Sequence, residues 1–414
     1  MDIIIGAGMS GLSYAAFCGH NDYQILEQSD KIGGYCKTTE RNGYVWDYSG
    51  HFFHFKDKAI EQFIAQAIPS EDILTIHKNT QIRYKDRLVD YPFQMNIHQL
   101  PQQEFIDCLY DLFVNPTTEY TNFREMLYAK FGKSIADKFL IPYNSKLYAC
   151  DLNTLDKDAM GRFFPYAEKE QIVRNFKAAN NDTYNATFVY PKHGAVQYVD
   201  SMASHVKRDA IRLQEAVTAI QPKEHTVTLQ SGEKLHYDRL ISTIPFPKLM
   251  ELAGETVHPA LSWNQVLVFN IGFDKQGLDT KNHWIYYPED KYCFYRVGFY
   301  SNILGTDKCS LYVELGFDKH ARIQPEEWLP RVLKDLKEAQ IISDDMKVAD
   351  YETIIMNPAY VHVSSEGTQY VAAQKERLAV EGIYSIGRYG SWTYCSIEDN
   401  IKEAKALAAK LNSL

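Results

Sequence analysis

Residues 2–11, DIIIGAGMSG, decide how the start of this chain folds. The β-branched run predicts a short strand, and the small-residue segment LSYAAFCGH that follows predicts a helix. Gly6 permits a tight turn between them, Gly8 lets a pyrophosphate approach the backbone, and Gly11 allows close packing of the helix. The spacing therefore predicts a dinucleotide site, with the phosphates at the N-terminus of the helix.

The next segment, YQILEQ at 23–28, predicts a second strand that ends near Glu27. A carboxylate at this position can accept a hydrogen bond from the adenosine ribose, and its charge disfavours a 2′-phosphate. Strand, glycine turn, helix, strand and acid follow one another in fewer than thirty residues. This order favours a nucleotide-binding unit over a tight turn without a ligand.

Length, charge and cysteine content limit the class of protein. The 414 residues exceed the ~250–300 at which one hydrophobic core stops growing, so two domains are expected. A net charge of −9 argues against a nucleic-acid partner. The seven cysteines form no CxxC pair, which indicates neither zinc nor disulfides and fits a cytoplasmic location. Neither a signal peptide nor an apolar run of about 18 residues is found, so no transmembrane segment is expected.

The motif GAGMSGLSYAAF…ILEQSDKIGGYCKT and the segment SIGRYGSW…SIEDNIKEAKALA lie at opposite ends of the chain. Both resemble the FAD-binding segments of the group that contains amine oxidases, protoporphyrinogen oxidase and UDP-galactopyranose mutase. The resemblance implies FAD as the cofactor. The residues assigned to the FAD site are Gly6, Gly8, Ser10, Gly11, Glu27, Gly33, Gly34, Gly50, Val217, Gly387, Arg388 and Ser396. For the strand around Val217, an ordinary hairpin is the alternative.

The resemblance and the order of segments predict an α/β fold with two domains. A Rossmann-like FAD-binding domain of the GR2 flavoprotein type is expected to be discontinuous, with residues 1–90, 190–248 and 362–414. The substrate domain is expected to combine a helical insertion, 91–189, with a block of alternating segments, 249–361, that favours an antiparallel sheet.

Within this group, the sequence resembles UDP-galactopyranose mutase most specifically. The segment GHFFH, 50–54, is similar to a histidine cluster that the bacterial mutases carry next to the flavin. Arg296 matches a mutase arginine on the nucleotide diphosphate, a role that suits a planar guanidinium. Tyr394 matches the last tyrosine of the mutases' closing segment. The resemblance thus implies a catalytic set of His51, His54, Arg296 and Tyr394.

The sequence also departs from the mutases. Ala186 stands where they have a second diphosphate arginine, and Arg174 or Lys192 could replace it. Further candidate pocket hydroxyls are those of Tyr286, Tyr312 and Tyr360. In a chain with 29 tyrosines, packing is the alternative role for each of them.

His51 and His54 allow three interpretations. As metal ligands they lack further partners at useful spacing, so no metal site is expected. As alternate residues of a half-buried strand they would have no chemical role. Beside a flavin they could hydrogen-bond N5 or O4, with the phenylalanines between them excluding water. We favour the flavin contact because the segment follows the FAD motif.

The resemblance implies an FAD-dependent enzyme that acts on a nucleoside diphosphate sugar, with flavin N5 as the nucleophile. Such an enzyme needs an external reductant and would serve surface polysaccharide biosynthesis. The alternative is an FAD-dependent oxidoreductase, similar to amine oxidase or protoporphyrinogen oxidase, with a small organic substrate. A flavin-binding protein without turnover is a third possibility.

Overall fold

A computed structural model describes residues 1–181 and 186–413. Residues 182–185, which fall in the predicted substrate domain, and Leu414 lie outside this description. The strands are, in chain order, β1 (Asp2–Ile5), β2 (Tyr23–Glu27), β3 (Thr38–Arg41), β4 (Tyr44–Asp47), β5 (Ile73–His77), β6 (Thr80–Tyr84), β7 (Arg87–Asp90), β8 (Thr187–Pro191), β9 (Ile211–Leu213), β10 (Val217–Gln221), β11 (Thr226–Leu229), β12 (Lys234–His236), β13 (Arg239–Ser242), β14 (Ser262–Phe273), β15 (Trp284–Tyr286), β16 (Arg296–Phe299), β17 (Ser310–Asp318), β18 (Val348–Met356), β19 (Val361–His362) and β20 (Ile383–Ser385).

The helices are, in chain order, α1 (Met9–Phe17), α2 (Lys58–Ala65), α3 (Gln102–Phe113), α4 (Phe123–Ile135), α5 (Ile141–Tyr148), α6 (Lys169–Asn175), α7 (Val196–Ala203), α8 (Phe246–Leu252), α9 (Tyr300–Leu304), α10 (Pro325–Glu338), α11 (Ser365–Val380), α12 (Gly387–Gly390) and α13 (Ile397–Asn412). A π-helical turn, Ala136–Leu140, joins α4 to α5. Within the described ranges, every helix falls short of the length and apolarity needed to cross a bilayer.

The apolar strand β1 lies at the centre of a parallel sheet with the strand order β20, β13, β1, β2 and β9. Ile4 packs on one face with α1 and α13, whereas Ile3 and Ile5 pack on the other face with α8, α11 and strands β10 and β11. All four residues of β1 are buried, because a parallel sheet of this kind is covered on both faces. The predicted Rossmann-like unit is confirmed.

A second, mostly antiparallel sheet has the strand order β18, β14, β17, β16, β15, β6 and β7. Alternate side chains of β14 point to opposite faces. Val266 and Val268 pack against the core formed with α3 to α6, and Leu267 and Phe269 pack towards α10. Both faces are therefore covered, which explains the continuous apolar run VLVF. The predicted combination of helices with an antiparallel sheet is also confirmed.

The strand pairing bears on the proposed division into domains. Strands β6 and β7 fall within the predicted segment 1–90, yet β6 pairs with β15 of the antiparallel sheet. Strand β5 pairs with β8. The chain thus leaves the Rossmann-like unit before residue 90, and the two-domain division remains a prediction.

Asp47 connects three separate segments of the chain through hydrogen bonds. This carboxylate is fully buried and accepts hydrogen bonds from Thr38 Oγ1 at 2.6 Å, Tyr190 Oη at 2.8 Å and the backbone N–H of Ala195 at 3.0 Å. It therefore connects β3, β8 and the start of α7. Burial raises its pKa from about 3.8 to about 7, because the charged form loses its hydration.

The raised pKa of Asp47 predicts a pH-dependent stability. The folded protein holds this proton more tightly than the unfolded chain, so stability falls as the pH rises from about 4 to about 7, by at most about 1.4 kcal/mol per pH unit. Asp47→Asn removes this dependence. The decrease in Tm between pH ~5.5 and ~7.5 should therefore be smaller in the variant than in the unmodified protein.

Asp345→Asn is the matched control for this experiment. Lys275 lowers the pKa of the exposed Asp345 carboxyl to about 2, so this group is ionised throughout the range and its loss should leave the pH dependence unchanged. A D47N variant with the pH dependence of the unmodified protein would show that Asp47 does not titrate in this range.

Candidate functional site

A large cleft of about 1000 Å³ extends between the glycine turn after β1 and the antiparallel sheet. Most of the predicted site residues line it. They are Gly6, Gly8, Ser10, Glu27, Gly33, Gly34, Gly50, His51, His54, Arg296, Arg388, Tyr394 and Ser396. The structure thus brings together residues from both ends of the chain and from the middle of the antiparallel sheet.

Gly11, Gly387 and Val217 are the predicted site residues that do not line the cleft. A Cβ atom on Gly11 would lie 2.0 Å from the carbonyl oxygen of Gly6, so α1 packs directly on the turn. Gly387 has a φ of +85°, and a Cβ atom there would lie 2.4 Å from Ser10 Oγ. These two glycines shape the cleft through packing. Val217 is half-buried at the start of β10 and does not contact the cleft.

Glu27 holds the glycine turn and retains capacity for a ligand. Its buried carboxylate accepts hydrogen bonds from the N–H of Ala7 at 2.9 Å, the N–H of Ser29 at 2.9 Å and Ser29 Oγ at 2.5 Å. A carboxylate offers about four acceptor positions. The remaining capacity, at a residue that lines the cleft, fits a ribose hydroxyl.

The segment 50–54 follows β4 as an irregular loop. The residue before it, Ser49, has a φ of +71°, and Phe53 makes an isolated bridge with Val189. His51 Nδ1 lies 3.3 Å from the carbonyl oxygen of Ser49, and His54 Nδ1 lies 3.0 Å from that of Thr187. The interpretation as a regular strand is therefore wrong.

Both histidines are neutral at pH 7. Desolvation lowers the pKa of His51 and of His54 to about 4. A carbonyl oxygen can only accept, so each Nδ1 carries the proton, and Nε2 of His51 is left as an acceptor. Among the described residues, no group of three or more His, Cys, Asp or Glu side chains is placed to hold a metal ion.

Aromatic rings enclose the end of the cleft at the antiparallel sheet. The rings of Tyr143 and Tyr286 have centroids 5.0 Å apart, and those of Tyr360 and Tyr394 are stacked at 6.0 Å. Tyr312, the other predicted hydroxyl, lies behind Gly50, where a Cβ atom would be 2.7 Å from its Oη. Tyr286, Tyr360 and Tyr394 therefore line the cleft, whereas Tyr312 supports its wall.

Arg296 is held by a carboxylate that the sequence analysis missed. Its Nε donates to Glu314 Oε2 at 2.5 Å, and its Nη2 donates to Glu314 Oε1 at 2.7 Å. Ser49 Oγ also donates to Glu314. The Glu314 side chain is 2% exposed and that of Arg296 is 18% exposed. Because the carboxylate of Glu314 balances the guanidinium of Arg296, the pair adds no net charge to the cleft.

Arg388 contributes a positive charge that is not neutralised. Its guanidinium carbon lies 4.6 Å from the ring centroid of Tyr394 and 5.3 Å from that of Tyr360. Its Nε is buried without a hydrogen-bond partner, and no carboxylate of the described residues pairs with it. The rings stabilise the cation, but an unused buried donor indicates a missing acceptor.

A further arginine at the rim was not predicted. Arg162 lines the cleft and donates to both carboxylate oxygens of Asp399 at 2.7 Å. In contrast, Arg174 and Lys192, the cations expected to replace a second arginine, do not line the cleft, and neither does Ala186. Lys192 instead lies 3.6 Å from Asp72.

The chain was compared with known proteins. Residues 9–412 match the family described as flavin containing amine oxidoreductase. A curated relative is coproporphyrinogen III oxidase from Staphylococcus aureus, which is 23% identical over 291 residues, or 61% of this chain and 62% of the relative. The chain thus spans less than two thirds of the length of the curated relatives that it matches.

Several solved structures share the fold, including the following two. The crystal structure of reduced UDP-galactopyranose mutase has a TM-score of 0.93 at 24% identity, with 100% of this chain and 93% of that chain covered. Cyclohexylamine oxidase from Brevibacterium oxydans has a TM-score of 0.69 at 15% identity, with 99% of both chains covered. At these identities, the similarity establishes the fold alone.

The buried pair of Arg296 and Glu314 predicts strongly coupled effects on stability. Arg296→Met leaves Glu314 buried without its partner and should lower the free energy of unfolding by about 3–5 kcal/mol. The double variant R296M/E314L removes both charges and should recover much of this loss. Denaturant unfolding of the two single variants and the double variant measures the coupling.

Arg41→Met serves as the control because its partner is near the surface. Arg41 pairs with Asp350, and the side chain of Arg41 is 44% exposed. Loss of this pair should therefore lower the free energy of unfolding by about 0–1 kcal/mol. Additive effects of R296M and E314L would contradict the coupling.

Proposed function

The chain belongs to the family of flavin containing amine oxidoreductases, and on that premise we propose that it transforms a nucleoside diphosphate sugar in the manner of UDP-galactopyranose mutase. FAD is the cofactor, as the sequence predicted. The protein is thus an FAD-dependent enzyme. Its assignment as an isomerase of nucleotide sugars, with a role in polysaccharide biosynthesis, is our proposal.

The nucleotide end of the cleft fits FAD. Glu27 would hold the ribose with its remaining acceptor capacity, and Gly8 and Ser10 at the N-terminus of α1 would hold the pyrophosphate. Gly50 and His51 would lie at the flavin. Bound FAD supplies a ring that exchanges electrons and can form a bond through N5.

The main support for a nucleoside diphosphate as the substrate is the positive charge of Arg388. Among the described residues, the end of the cleft at the antiparallel sheet is lined by Arg296 and Arg388 but by a single carboxylate, Glu314, which Arg296 neutralises. The excess positive charge favours an anionic substrate and disfavours a protonated amine. A nucleoside diphosphate combines that anion with a planar base, and the base suits a compartment of aromatic rings.

In this scheme, the side chains bind, orient and exclude water. Arg388 and Tyr394 bind the anionic group, because the unused donor Nε of Arg388 gains an acceptor there. Tyr143 and Tyr286 pack on the base and sugar faces. The neutral His51 offers Nε2 as an acceptor for a proton at the flavin. The difficult chemical step is left to the cofactor, so no acid, base or nucleophile triad is required.

An FAD-dependent oxidoreductase is the second candidate. Coproporphyrinogen III oxidase is among the curated relatives, and carboxylates of a porphyrinogen would also be attracted to Arg388. The cleft of about 1000 Å³ must hold FAD together with the substrate. Because this volume is at the upper end of the range for a single small-molecule site, the space left beside FAD suits a smaller substrate than a macrocycle.

The mutase-like function predicts strong stabilisation by UDP. UDP at about a hundred times its Kd should stabilise the folded protein by about 2.7 kcal/mol and raise its Tm. After chemical reduction of the flavin, the enzyme should interconvert the pyranose and furanose forms of a nucleotide sugar, which chromatography separates. No effect across a panel of nucleoside diphosphates and their sugars would contradict the proposal.

Anaerobic mixing separates the two candidate functions. An oxidoreductase substrate, such as a porphyrinogen or an amine, would bleach the oxidised flavin stoichiometrically in a single turnover. A mutase needs prior reduction and leaves the flavin reduced at the end. Bleaching by such a substrate, together with no response to UDP, would establish the second candidate.

The contact of His51 with the flavin predicts a shift in the reduction potential. His51→Ala removes an acceptor at the ring, and a net hydrogen bond of about 1 kcal/mol corresponds to about 20 mV for a two-electron couple. The midpoint potential measured by spectroelectrochemistry should change by this order. His193→Ala, at an exposed histidine outside the cleft, should leave it unchanged. A His51→Ala potential equal to that of the unmodified protein would refute the contact.

A further inference from the structure

We propose that Arg162 is a substrate-binding residue that exchanges Asp399 for the phosphate oxygens of the nucleoside diphosphate. This inference rests on the proposed function, because it requires an anionic substrate in the cleft. It adds a specific residue that neither the motifs nor the comparisons assign.

Arg162 reaches the cleft from the helical part of the chain. It lies in a short helical turn, Gly161–Phe163, and donates to Asp399 in the first turn of α13. The ring of Phe163 packs edge-to-face on that of Tyr394 at 5.1 Å, and Arg388 lies on the same tyrosine at 4.6 Å. Arg162, which precedes Phe163 in the chain, and Arg388 both line the cleft. An anion bound in this cleft would thus have two arginines, Arg162 and Arg388, among the residues that line its site.

Asp399 can lose its ion pair with Arg162 at little cost in free energy. Arg162 is 42% exposed and Asp399 is 30% exposed, so solvent weakens their attraction. Asp399 also accepts hydrogen bonds from the N–H and the Oγ of Ser396, both at 2.8 Å. These contacts remain when Arg162 leaves. The carboxylate lies in the first turn of α13, where the helix dipole stabilises a negative charge.

Arg296 differs in this respect. Its partner Glu314 is 2% exposed and would keep the hydroxyl of Ser49 as its remaining partner. A diphosphate that drew Arg296 away would leave a buried carboxylate largely unpaired. Of the two cleft arginines that form an ion pair among the described residues, Arg162 is therefore the one whose carboxylate can be exchanged, and a bidentate guanidinium matches phosphate as well as carboxylate.

Calorimetric titration of the purified FAD-loaded protein with UDP and with uridine tests this role. Arg162→Gln should weaken UDP binding about tenfold or more, the size expected for a charge-assisted hydrogen bond. Uridine has no phosphate, so its affinity should not change. Arg174→Gln and Lys192→Gln remove the same charge outside the cleft and should bind UDP as the unmodified protein does.

Asp399→Asn provides a second variant. Asparagine keeps an acceptor for Ser396 but holds Arg162 less strongly, so UDP should bind as tightly as to the unmodified protein or a few times more tightly. If the R162Q protein fails to retain FAD, the UDP affinity of the D399N protein decides whether the exchange takes place. Weaker UDP binding by D399N would overturn the exchange, because the bridge itself would then be required.

The outcomes distinguish this inference from the proposed function. If the unmodified protein does not bind UDP, the proposed function fails. If it binds UDP and R162Q binds UDP equally well, Arg162 has no such role and the proposed function stands. Equal weakening of UDP and uridine by R162Q would also overturn the inference, since it would indicate a general loss of the pocket.

Discussion

The contact between Gly11 and the carbonyl of Gly6 is the constraint on which the cleft depends. A Cβ atom on residue 11 would lie only 2.0 Å from that carbonyl oxygen. Helix α1 can therefore lie against the end of β1 only if residue 11 has no side chain. This contact fixes the N-terminus of α1 at the edge of the parallel sheet. Ser10 on that helix then packs against Gly387, so the closing segment, which carries Arg388, takes its position from the same helix.

A second constraint connects the antiparallel sheet to the loop with the histidines. Glu314 on β17 binds Arg296 on β16 and the hydroxyl of Ser49, two residues before His51. A buried ion pair contributes little net stability compared with apolar residues of the same size, but it specifies one arrangement of its partners. In this protein, that arrangement holds β16 and β17 against the loop that contains His51. It also removes the charge of Arg296 from the cleft.

Local patterns predicted the nucleotide half of the protein because its signals lie close together in sequence. The glycine spacing, the acid at Glu27 and the closing glycine turn each report a backbone requirement of their own segment. Pairing between distant segments leaves no such signal, so the place of β6 beside β15 was not foreseen. Glu314 could have been found, since a charged residue on a strand covered on both faces needs a partner. Nothing in the sequence around Arg162 indicates that it reaches Asp399.

Three arginines among the described residues line the same cleft. They differ in the carboxylate partner, if any, that each would have to leave in order to bind a substrate. Arg296 is bound to a buried carboxylate, so it stays in place and orients its surroundings. Arg388 has an unused donor, so it can bind an anion without breaking an ion pair. Arg162 pairs with a half-exposed carboxylate that keeps other partners, so it can exchange. An anionic substrate therefore gains most from Arg388 and next from Arg162. Under the proposed function, the free-energy cost of leaving its present partner determines which arginine binds the phosphates. The resemblance to the mutases, which pointed to Arg296, does not determine it.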